Sequence, residues 1–411
     1  MGTEWRSITP DEVEAFVTTD AAAFGERAPE VYLRTARETL EVDRTIVGFD
    51  EARMVATSAS YTMTMSAPGG SNVPVGALSW VGVLPTHRRR GLLTEMIGRH
   101  LADVRERGEC FSALWASEAV IYGRYGYGTA TSQMAFELSR PHARFRDPVD
   151  DPGRIELIDR ETAEVVFPAV YEQTLAQRHG DLSRPPWHWV ASFIELDHEV
   201  KEDRHWFHVV HSDRDGMTDG YAMYRFGEQD HDWAFGLDRK LIEVYDLVAV
   251  DPGARAALWR FLLDLDLAAV LRSNNVALDE PLRWLLADPR RFRVTGMADA
   301  LWLRPTDVAA ALTARSYATA GNVVIEVVDP LLPEVGGRFR LDVDDGVTVE
   351  RTDGAADLTL GPAEFGAIYL GGVSLATLIA AGRVTVHTPR AAALADAMFA
   401  TPRAPFCTTE F

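Results

Sequence analysis

The sequence predicts an α/β protein built from three consecutive segments, and three observations lead to that prediction. Strand-like and helix-like stretches alternate over residues 1–146, a normal length for one domain. An outline of strand, proline and amphipathic helix occurs within that segment and again at 244–265. From 304 to 411, alternating strands are followed by helices. A chain of 411 residues is also too long for one hydrophobic core.

Caps, turns and apolar spacing predict the elements of the first segment. Thr9 and Pro10 mark a helix start, because threonine is a good N-cap and proline suits the first helical turn. Apolar residues at helical spacing predict a helix that follows Gly91 and ends at Gly108. The remaining predicted elements are strands at 45–65, 75–84 and 111–117, a turn at Gly69 and Gly70, a tight glycine-rich segment at 121–128, and a strand in TSQMAFELSR.

Composition and charge exclude several classes of partner. The chain carries 61 acidic and 41 basic residues, a net charge of -20, which disfavours nucleic acid. An acidic surface is compatible with cationic substrates and with solubility, and does not choose between them. Cys110 and Cys407 are the only cysteines, which argues against a disulfide scaffold or a zinc site and fits a reducing cytoplasm. The longest uncharged stretch, 366–382, is too short for a membrane span, and no signal peptide is expected at the N-terminus.

The stretch VGVLPTHRRRGLLTEM, residues 81–96, predicts an anion site. A strand ends, Arg88, Arg89 and Arg90 follow, and Gly91 precedes a helix. The first amides of a helix have no internal partners, and a glycine lets a phosphate approach the backbone. Arginine side chains supply forked donors for phosphate oxygens. The alternative interpretation is a solvated basic turn, and the segment is not a Walker loop.

The second strand–proline–helix outline, at 244–265, predicts a repeated fold without repeated chemistry. Arg255 occupies the position that corresponds to Arg88, but Leu258 replaces Gly91 and two alanines replace the paired arginines. A leucine side chain would block close approach of a phosphate to the backbone. In the third segment, strands are predicted at 323–328, 338–343 and 347–351, and helices at 362–370 and 373–381.

Three motifs together resemble the enhanced-intracellular-survival (Eis) family of GNAT N-acetyltransferases. They are PTHRRRGLL, ASEAVIYGRYGYG and a terminal TEF. The first resembles the pyrophosphate loop R/Q-x-x-G-x-G/A, although Leu93 stands in its last position. The resemblance implies a catalytic GNAT domain at 1–146, a degenerate GNAT-like domain at 147–303 and a sterol-carrier-protein-like domain at 304–411. It further implies acetyl transfer from acetyl-CoA to aminoglycosides and lysine-type amines, without a metal, by a homo-hexamer.

The same resemblance implies roles for individual residues. The backbone of Val81 and Val83 would bind pantetheine, with Ser117 and Glu118 at the next strand end. The pyrophosphate would be held by Arg88, Arg89, Gly91 and Leu92, with Arg90 nearby. Tyr122 would be the general acid, and the carboxylate of Phe411 the general base. The amine pocket would be lined by Phe24, Glu26, Trp80 and Glu410.

Each assignment has a simpler alternative in the residues themselves. Tyr122 in a glycine-rich turn can be a packing residue, Trp80 on an apolar strand can belong to the core, and Glu118 can be a helix cap. A chain end is commonly frayed. At the level of function, the alternatives are a lipid- or ligand-binding protein that uses the third domain, and a GNAT enzyme for a small metabolite amine.

Overall fold

Residues 2–140, 143–199, 205–227, 240–266 and 268–411 are described by the computed structural model. The strands are β1 (Glu4–Arg6), β2 (Val47–Asp50), β3 (Arg53–Ser66), β4 (Asn72–Val83), β5 (Phe111–Trp115), β6 (Gly128–Thr129), β7 (Ser132–Ser139), β8 (Arg154–Ile158), β9 (Phe207–Ser212), β10 (Thr218–Gly227), β11 (Lys240–Ala249), β12 (Ala268–Val276), β13 (Phe292–Asp299), β14 (Leu301–Pro305), β15 (Gly321–Val327), β16 (Gly337–Val343), β17 (Val347–Arg351), β18 (Leu358–Leu360) and β19 (Thr385–Val386). The helices are α1 (Val13–Phe24), α2 (Glu30–Thr39), α3 (Leu92–Glu106), α4 (Ala119–Tyr122), α5 (Arg160–Leu175), α6 (Pro186–Glu199), α7 (Pro252–Asp264), α8 (Leu282–Leu285), α9 (Val308–Thr313), α10 (Pro362–Tyr369), α11 (Leu375–Ala380) and α12 (Pro389–Phe399).

The chain folds into two units that are each discontinuous in sequence. The first comprises Met1–Thr131, His179–Glu195 and Ala300–Phe411, and the second comprises Ser132–Arg178 and Leu196–Asp299. Domains at 1–146, 147–303 and 304–411 remain a sequence-based prediction. In the sheets, β7 pairs with strands of the second unit, whereas β14 pairs with β5 and β6 of the first unit.

The first sheet has the strand order β1-β2-β3-β4-β5-β14-β6. The strand predicted at 45–65 is in fact two strands, because the chain turns at Glu51, whose φ is +55°, and β2 pairs with β3. Helix α1 follows a 3-10 turn at Pro10–Glu12, and Thr9 and Glu12 form the capping box. Helix α3 buries Met96, Ile97, Leu101 and Val104, which confirms the predicted apolar face.

The second unit contains the sheet β13-β7-β12-β11-β10-β9-β8. Its central strand β11 pairs with β10 in antiparallel register and with β12 in parallel register. The register with β10 shifts at Tyr245, where β11 has one residue more than its partner, which is a β-bulge. Helix α7 begins directly after β11, so the strand–proline–helix outline predicted at 244–265 is confirmed.

The third sheet, β17-β16-β15-β18-β19, belongs to the first unit. The strands and helices predicted for this segment are confirmed, with boundaries that differ by a few residues. Helix α10 is buried along its whole length and packs against β14 and β6. A Cβ atom on Gly128 would lie 1.8 Å from the carbonyl oxygen of Ala363, so this approach requires glycine.

Buried side chains of the third sheet, of α10 and of the first sheet form one continuous core. Cys110 and Cys407 are buried free thiols in that core. Over the described ranges, no helix combines the length and the apolar character that crossing a membrane would require.

Candidate active site

Strands β4 and β5 separate from each other near the middle of the first sheet. They pair in parallel only through Val75–Ala77 and Phe111–Ala113. Beyond Ala77, β4 continues to Val83 along β3, while β5 ends at Trp115 and pairs with β14 on its other edge. The edge of β4 that contains Val81 and Val83 therefore faces a gap instead of a neighbouring strand.

A β-bulge at Trp80 marks the point where the two strands part. The register between β3 and β4 shifts there by one residue, and Trp80 has a φ of +54°. Such a conformation is unusual for a bulky residue and is typical of functional sites. The indole of Trp80 donates a hydrogen bond to the hydroxyl of Tyr61 at 2.8 Å, and Tyr61 stacks on Trp187. Trp80 is half-buried, so it belongs partly to the core and partly to the gap.

The loop between β4 and α3 has the geometry of an anion site. Gly91 is the N-cap of α3 with a φ of +83°, and a Cβ atom built on it would meet nothing within 4 Å. The backbone N–H groups of Leu92, Leu93 and Thr94 have no acceptor among the described residues, as is usual for the first turn of a helix. Arg89 is also left-handed, with a φ of +63°.

The three arginines of this loop differ in what they contact. Arg88 donates to the carbonyl oxygens of Val83 at 3.2 Å and of Ala23 at 2.6 Å, so it joins the loop to β4 and to α1. Arg90 donates to the carbonyl oxygen of Thr86 at 3.1 Å. Arg89 is exposed, and no part of the described chain accepts a hydrogen bond from its guanidinium. Arg89 is thus the arginine best placed to bind a ligand directly.

Tyr122 lies at the end of α4, close behind the end of β5. Its side chain is buried among apolar residues of β4, β5 and α3, and its ring meets that of Tyr127 edge-on. Burial raises the pKa of Tyr122, hydrogen bonding with Ser117 opposes that shift, and the charges of Asp20 and Glu118 add to it. The phenol therefore stays protonated at neutral pH. Ser117 and Glu118 are exposed, and Glu118 is the N-cap of α4 without a side-chain cap bond.

The C-terminal segment is anchored in the first unit as far as Glu410. Phe406 and Cys407 are buried, and the backbone N–H of Thr408 donates to Asp181 at 2.7 Å. The indole of Trp115, at the end of β5, donates to the carbonyl oxygen of Thr409 at 3.1 Å. The chain end is therefore ordered by these contacts through Thr409 and is not frayed there.

His188 holds the next residue of this segment. Its Nε2–H donates to the carbonyl oxygen of Glu410 at 2.9 Å. Burial, together with the nearby charge of Arg184, lowers the pKa of His188 to about 3, so the ring is neutral. The half-buried ring of Phe411 packs against the same core as Trp80, Trp115 and Trp187.

The remaining predicted pocket residues are exposed. Phe24 ends α1 with 56% of its surface accessible, and Glu26 follows the left-handed Gly25. Glu410 has an accessible surface, yet desolvation by surrounding protein atoms raises its pKa.

Sequence reasoning missed several residues at this site. Tyr61, Trp187, Arg184 and His188 come from distant parts of the chain and carry no local signal. Asp20 does carry one, because it is an acid on the buried face of α1, in register with Phe16 and Val17.

The corresponding position of the second unit is filled by the chain itself. Asp251 caps α7, and its carboxylate accepts from the backbone N–H groups of Gly253 at 2.6 Å and Ala254 at 3.1 Å. Leu258 is fully buried, and Arg255 pairs with the buried Glu280. A protein carboxylate thus occupies the helix start where α3 is open.

Comparison with known proteins agrees with this architecture. A family model described as Acetyltransferase (GNAT) domain matches residues 4–130, and a second with the same description matches 180–305. A Sterol carrier protein domain model matches residues 308–408. The fold and the site therefore define an N-acetyltransferase of the GNAT class, a group of enzymes that use acyl-CoA donors.

Full-length relatives specify the family. The chain is 34% identical to N-acetyltransferase Eis of Mycobacterium tuberculosis, with 96% of each chain covered. It is 38% identical to an "Uncharacterized N-acetyltransferase" of Streptomyces avermitilis, with 99% of each covered. The crystal structure of Eis1 from Mycobacterium abscessus superposes with a TM-score of 0.89 at 37% identity, covering 100% of both chains. The protein belongs to the Eis family of N-acetyltransferases.

Proposed function

We propose that this enzyme transfers the acetyl group of acetyl-CoA directly to primary amines of cationic substrates, aminoglycosides and lysine-type amines among them. The observation that carries the proposal is the gap between β4 and β5, which has the open start of α3 on one side and Tyr122 on the other. A donor with a phosphate at one end and an extended amide-containing arm fits this arrangement.

The residues of the gap fit acetyl-CoA in three respects. The free edge of β4 offers the backbone groups of Val81 and Val83 to the pantetheine amides, opposite Ser117 and Glu118. The amides at the start of α3 and the open face of Gly91 suit the pyrophosphate. In this proposal Arg89 contacts the phosphates, while Arg88 and Arg90 shape the loop through the carbonyl groups that they bind.

The chemistry needs one proton donor and one proton acceptor. When bound, acetyl-CoA supplies a thioester whose acetyl carbon is attacked by the amine while CoA leaves as a thiolate. Tyr122 is the proposed acid, because its protonated phenol can donate to that thiolate. The carboxylate of Phe411 is the proposed base that receives the proton of the amine, and His188, Trp115 and Asp181 hold the segment that presents it.

The proposed amine pocket is acidic and aromatic. Phe24, Trp80 and the acids Glu26 and Glu410 would line it, and ammonium groups interact favourably with both carboxylates and ring faces. The net charge of -20 would also attract cationic substrates at long range. We extend the proposal to a homo-hexamer, as the Eis resemblance implies, which sedimentation velocity of the purified protein would test.

Free-thiol release from acetyl-CoA tests the function directly. The panel should contain an aminoglycoside, a lysine-containing peptide, a polyamine and uncharged primary amines, with mass spectrometry of each product. We expect turnover with the cationic amines and a mass increase of one or more acetyl groups. A folded protein that binds acetyl-CoA but acetylates none of these amines would contradict the proposed substrate class.

Tyr122→Phe tests the acid, and Tyr127→Phe is its matched control. Both changes remove one phenolic hydroxyl from adjoining rings, but the hydroxyl of Tyr127 is bound to Ser112 inside the core. Removal of a general acid typically costs about 100-fold or more in rate. We expect that loss in kcat for Tyr122→Phe, with unchanged acetyl-CoA affinity, and near-native kcat in folded Tyr127→Phe. Equal losses in both variants would assign Tyr122 to packing.

A further inference from the structure

Asp20 is a buried acid that the proposed reaction leaves without a role. It lies on the inner face of α1, and only 9% of its surface is accessible. Phe24 lies one helical turn further along the same face, is exposed, and belongs to the proposed amine pocket. The α1 face therefore runs from solvent at Phe24 inward to the carboxylate of Asp20.

The Asp20 carboxylate lies against the gap-facing part of β4. A Cβ atom built on Gly82 would be 2.9 Å from Oδ1 of Asp20 and 3.0 Å from Cβ of Ala23. Gly82 stands between Val81 and Val83, two residues after the bulge at Trp80. The absence of a side chain at Gly82 thus leaves room for the carboxylate beside the strand that is proposed to bind pantetheine.

This carboxylate has very few partners. Oδ1 accepts one hydrogen bond from the hydroxyl of Thr57, at 3.3 Å. In the described parts of the chain, Oδ2 has no hydrogen-bond donor, and no cation forms an ion pair with Asp20. A buried carboxylate without a countercharge is costly, because desolvation disfavours its charged form.

Within the described residues, the charges that shift the pKa of Asp20 include no cation. Burial raises the pKa of Asp20 to about 6, the hydrogen bond from Thr57 opposes the shift, and the charge of Glu26 adds to it. The negative charge of Asp20 also contributes to the raised pKa of the Tyr122 phenol. Arg88, in the loop before α3, donates a hydrogen bond to the carbonyl oxygen of Ala23.

We infer that Asp20 is a further substrate-binding residue, whose carboxylate receives, beside Gly82, a second ammonium group of the substrate and not the neutral amine that attacks the thioester. The inference rests on the proposed function and names a group of that same pocket. A cation placed there supplies the missing countercharge and donates to the free Oδ2, so part of the cost of burying Asp20 is recovered when substrate binds. Uncharged amines gain nothing from this carboxylate, which would make the enzyme selective for cationic amines.

The variant Asp20→Asn tests this role, because it removes the charge but keeps the shape and an oxygen acceptor for Thr57. Asp11→Asn is the matched control: it makes the same change at an exposed position in the 3-10 turn that precedes α1. For a cationic diamine, we expect Asp20→Asn to raise KM by about ten- to hundredfold, in line with loss of a hydrogen bond to a charged group. For trifluoroethylamine, which is uncharged near neutral pH, KM should be equal in both variants and in the wild type.

Two further measurements separate this inference from the proposed function. Calorimetry of the diamine with the CoA-loaded protein reports binding without turnover. In the wild type the affinity should fall as pH drops through about 6, where Asp20 takes up a proton, and this step should be absent in Asp20→Asn. Thr57→Val keeps the Asp20 carboxylate but removes the hydroxyl that donates to it and lowers its pKa. In this variant the fall in diamine affinity should therefore occur at a higher pH.

Each outcome decides between the two claims. Diamine binding that depends on Asp20, without any acetyl transfer, would leave the Asp20 site standing and refute the proposed function. Equal diamine affinity in Asp20→Asn and the wild type, or no diamine binding to either protein, would overturn the inference. An equal rise of KM for charged and uncharged amines would overturn it as well, because it would show a steric or structural effect.

Discussion

The buried carboxylate of Asp20 should make the enzyme less stable than it could be, and Asp20→Asn should relieve that cost. Burial raises the pKa of Asp20 from 3.8 to about 6. The folded protein therefore takes up a proton at a higher pH than the unfolded chain does. Stability consequently falls as pH rises from about 4 to about 6 and stays lower above that range.

The size of the effect follows from the same shift. The difference between the two pKa values corresponds to about 3 kcal/mol at pH 8, because each pH unit is worth roughly 1.4 kcal/mol. Asparagine carries no charge to desolvate and can accept the hydrogen bond of Thr57. For a unit of this size, about 1 kcal/mol changes Tm by roughly 2 °C, so Asp20→Asn should gain about 6 °C.

Thermal unfolding from pH 4 to pH 8 tests this reasoning. The Tm of Asp20→Asn should exceed that of the wild type at pH 8, and the difference should shrink to near zero at pH 4. Asp11→Asn should follow the wild-type curve throughout, because its carboxylate is exposed. Parallel curves for Asp20→Asn and the wild type, or a lower Tm of the variant at pH 8, would refute the claim that Asp20 is buried without a countercharge. A more stable but less selective variant is the outcome expected of a functional residue.

The other predictions concern the cofactor loop, the second unit and the chain end. Gly91→Asp should weaken acetyl-CoA binding by about 100-fold in calorimetry, because it places a Cβ and a negative charge at the proposed phosphate position. Gly108→Asp is the control and should bind acetyl-CoA normally, because Gly108 lies at the other end of α3 with a φ of +72° and equal free space. Arg89→Asn, which tolerates the left-handed backbone, should weaken binding by about tenfold and reduce its salt dependence. Titration should give one CoA per chain, because Asp251 fills the second helix start; two equivalent sites would contradict that interpretation. Residues appended after Phe411 should lower kcat by about 100-fold and leave acetyl-CoA affinity unchanged; near-native kcat in such a folded protein would exclude the terminal carboxylate as base.

Local sequence patterns determined the secondary structure around the proposed cofactor loop. The apolar spacing after Gly91, the prolines before two helices and the glycine punctuation depend only on neighbouring residues, and α1, α3 and α7 form where they were predicted. Leu258, at the position that corresponds to Gly91, also predicted that the second unit repeats the fold without an anion site. The structure adds a reason that the sequence did not reveal, because the carboxylate of Asp251 caps the start of α7. The prediction of a single strand at 45–65 was wrong, because a two-residue turn without glycine divides this stretch into β2 and β3.

Tertiary structure alone decided the pairing of β14 with β5 and β6, the anchoring of the C-terminal segment and the surroundings of Asp20. Strand β14 lies between β5 and β6, which precede it by more than a hundred residues in the sequence, and Trp115 binds a carbonyl group 294 residues away. Asp20 is an ordinary acid by sequence, and its pKa is raised because folding buries its carboxylate beside Gly82, whereas the hydrogen bond from Thr57 opposes that shift. Helix periodicity is set by neighbouring residues and can be predicted from them. Strand partners and the local dielectric of a carboxylate depend on groups that only the folded chain brings together.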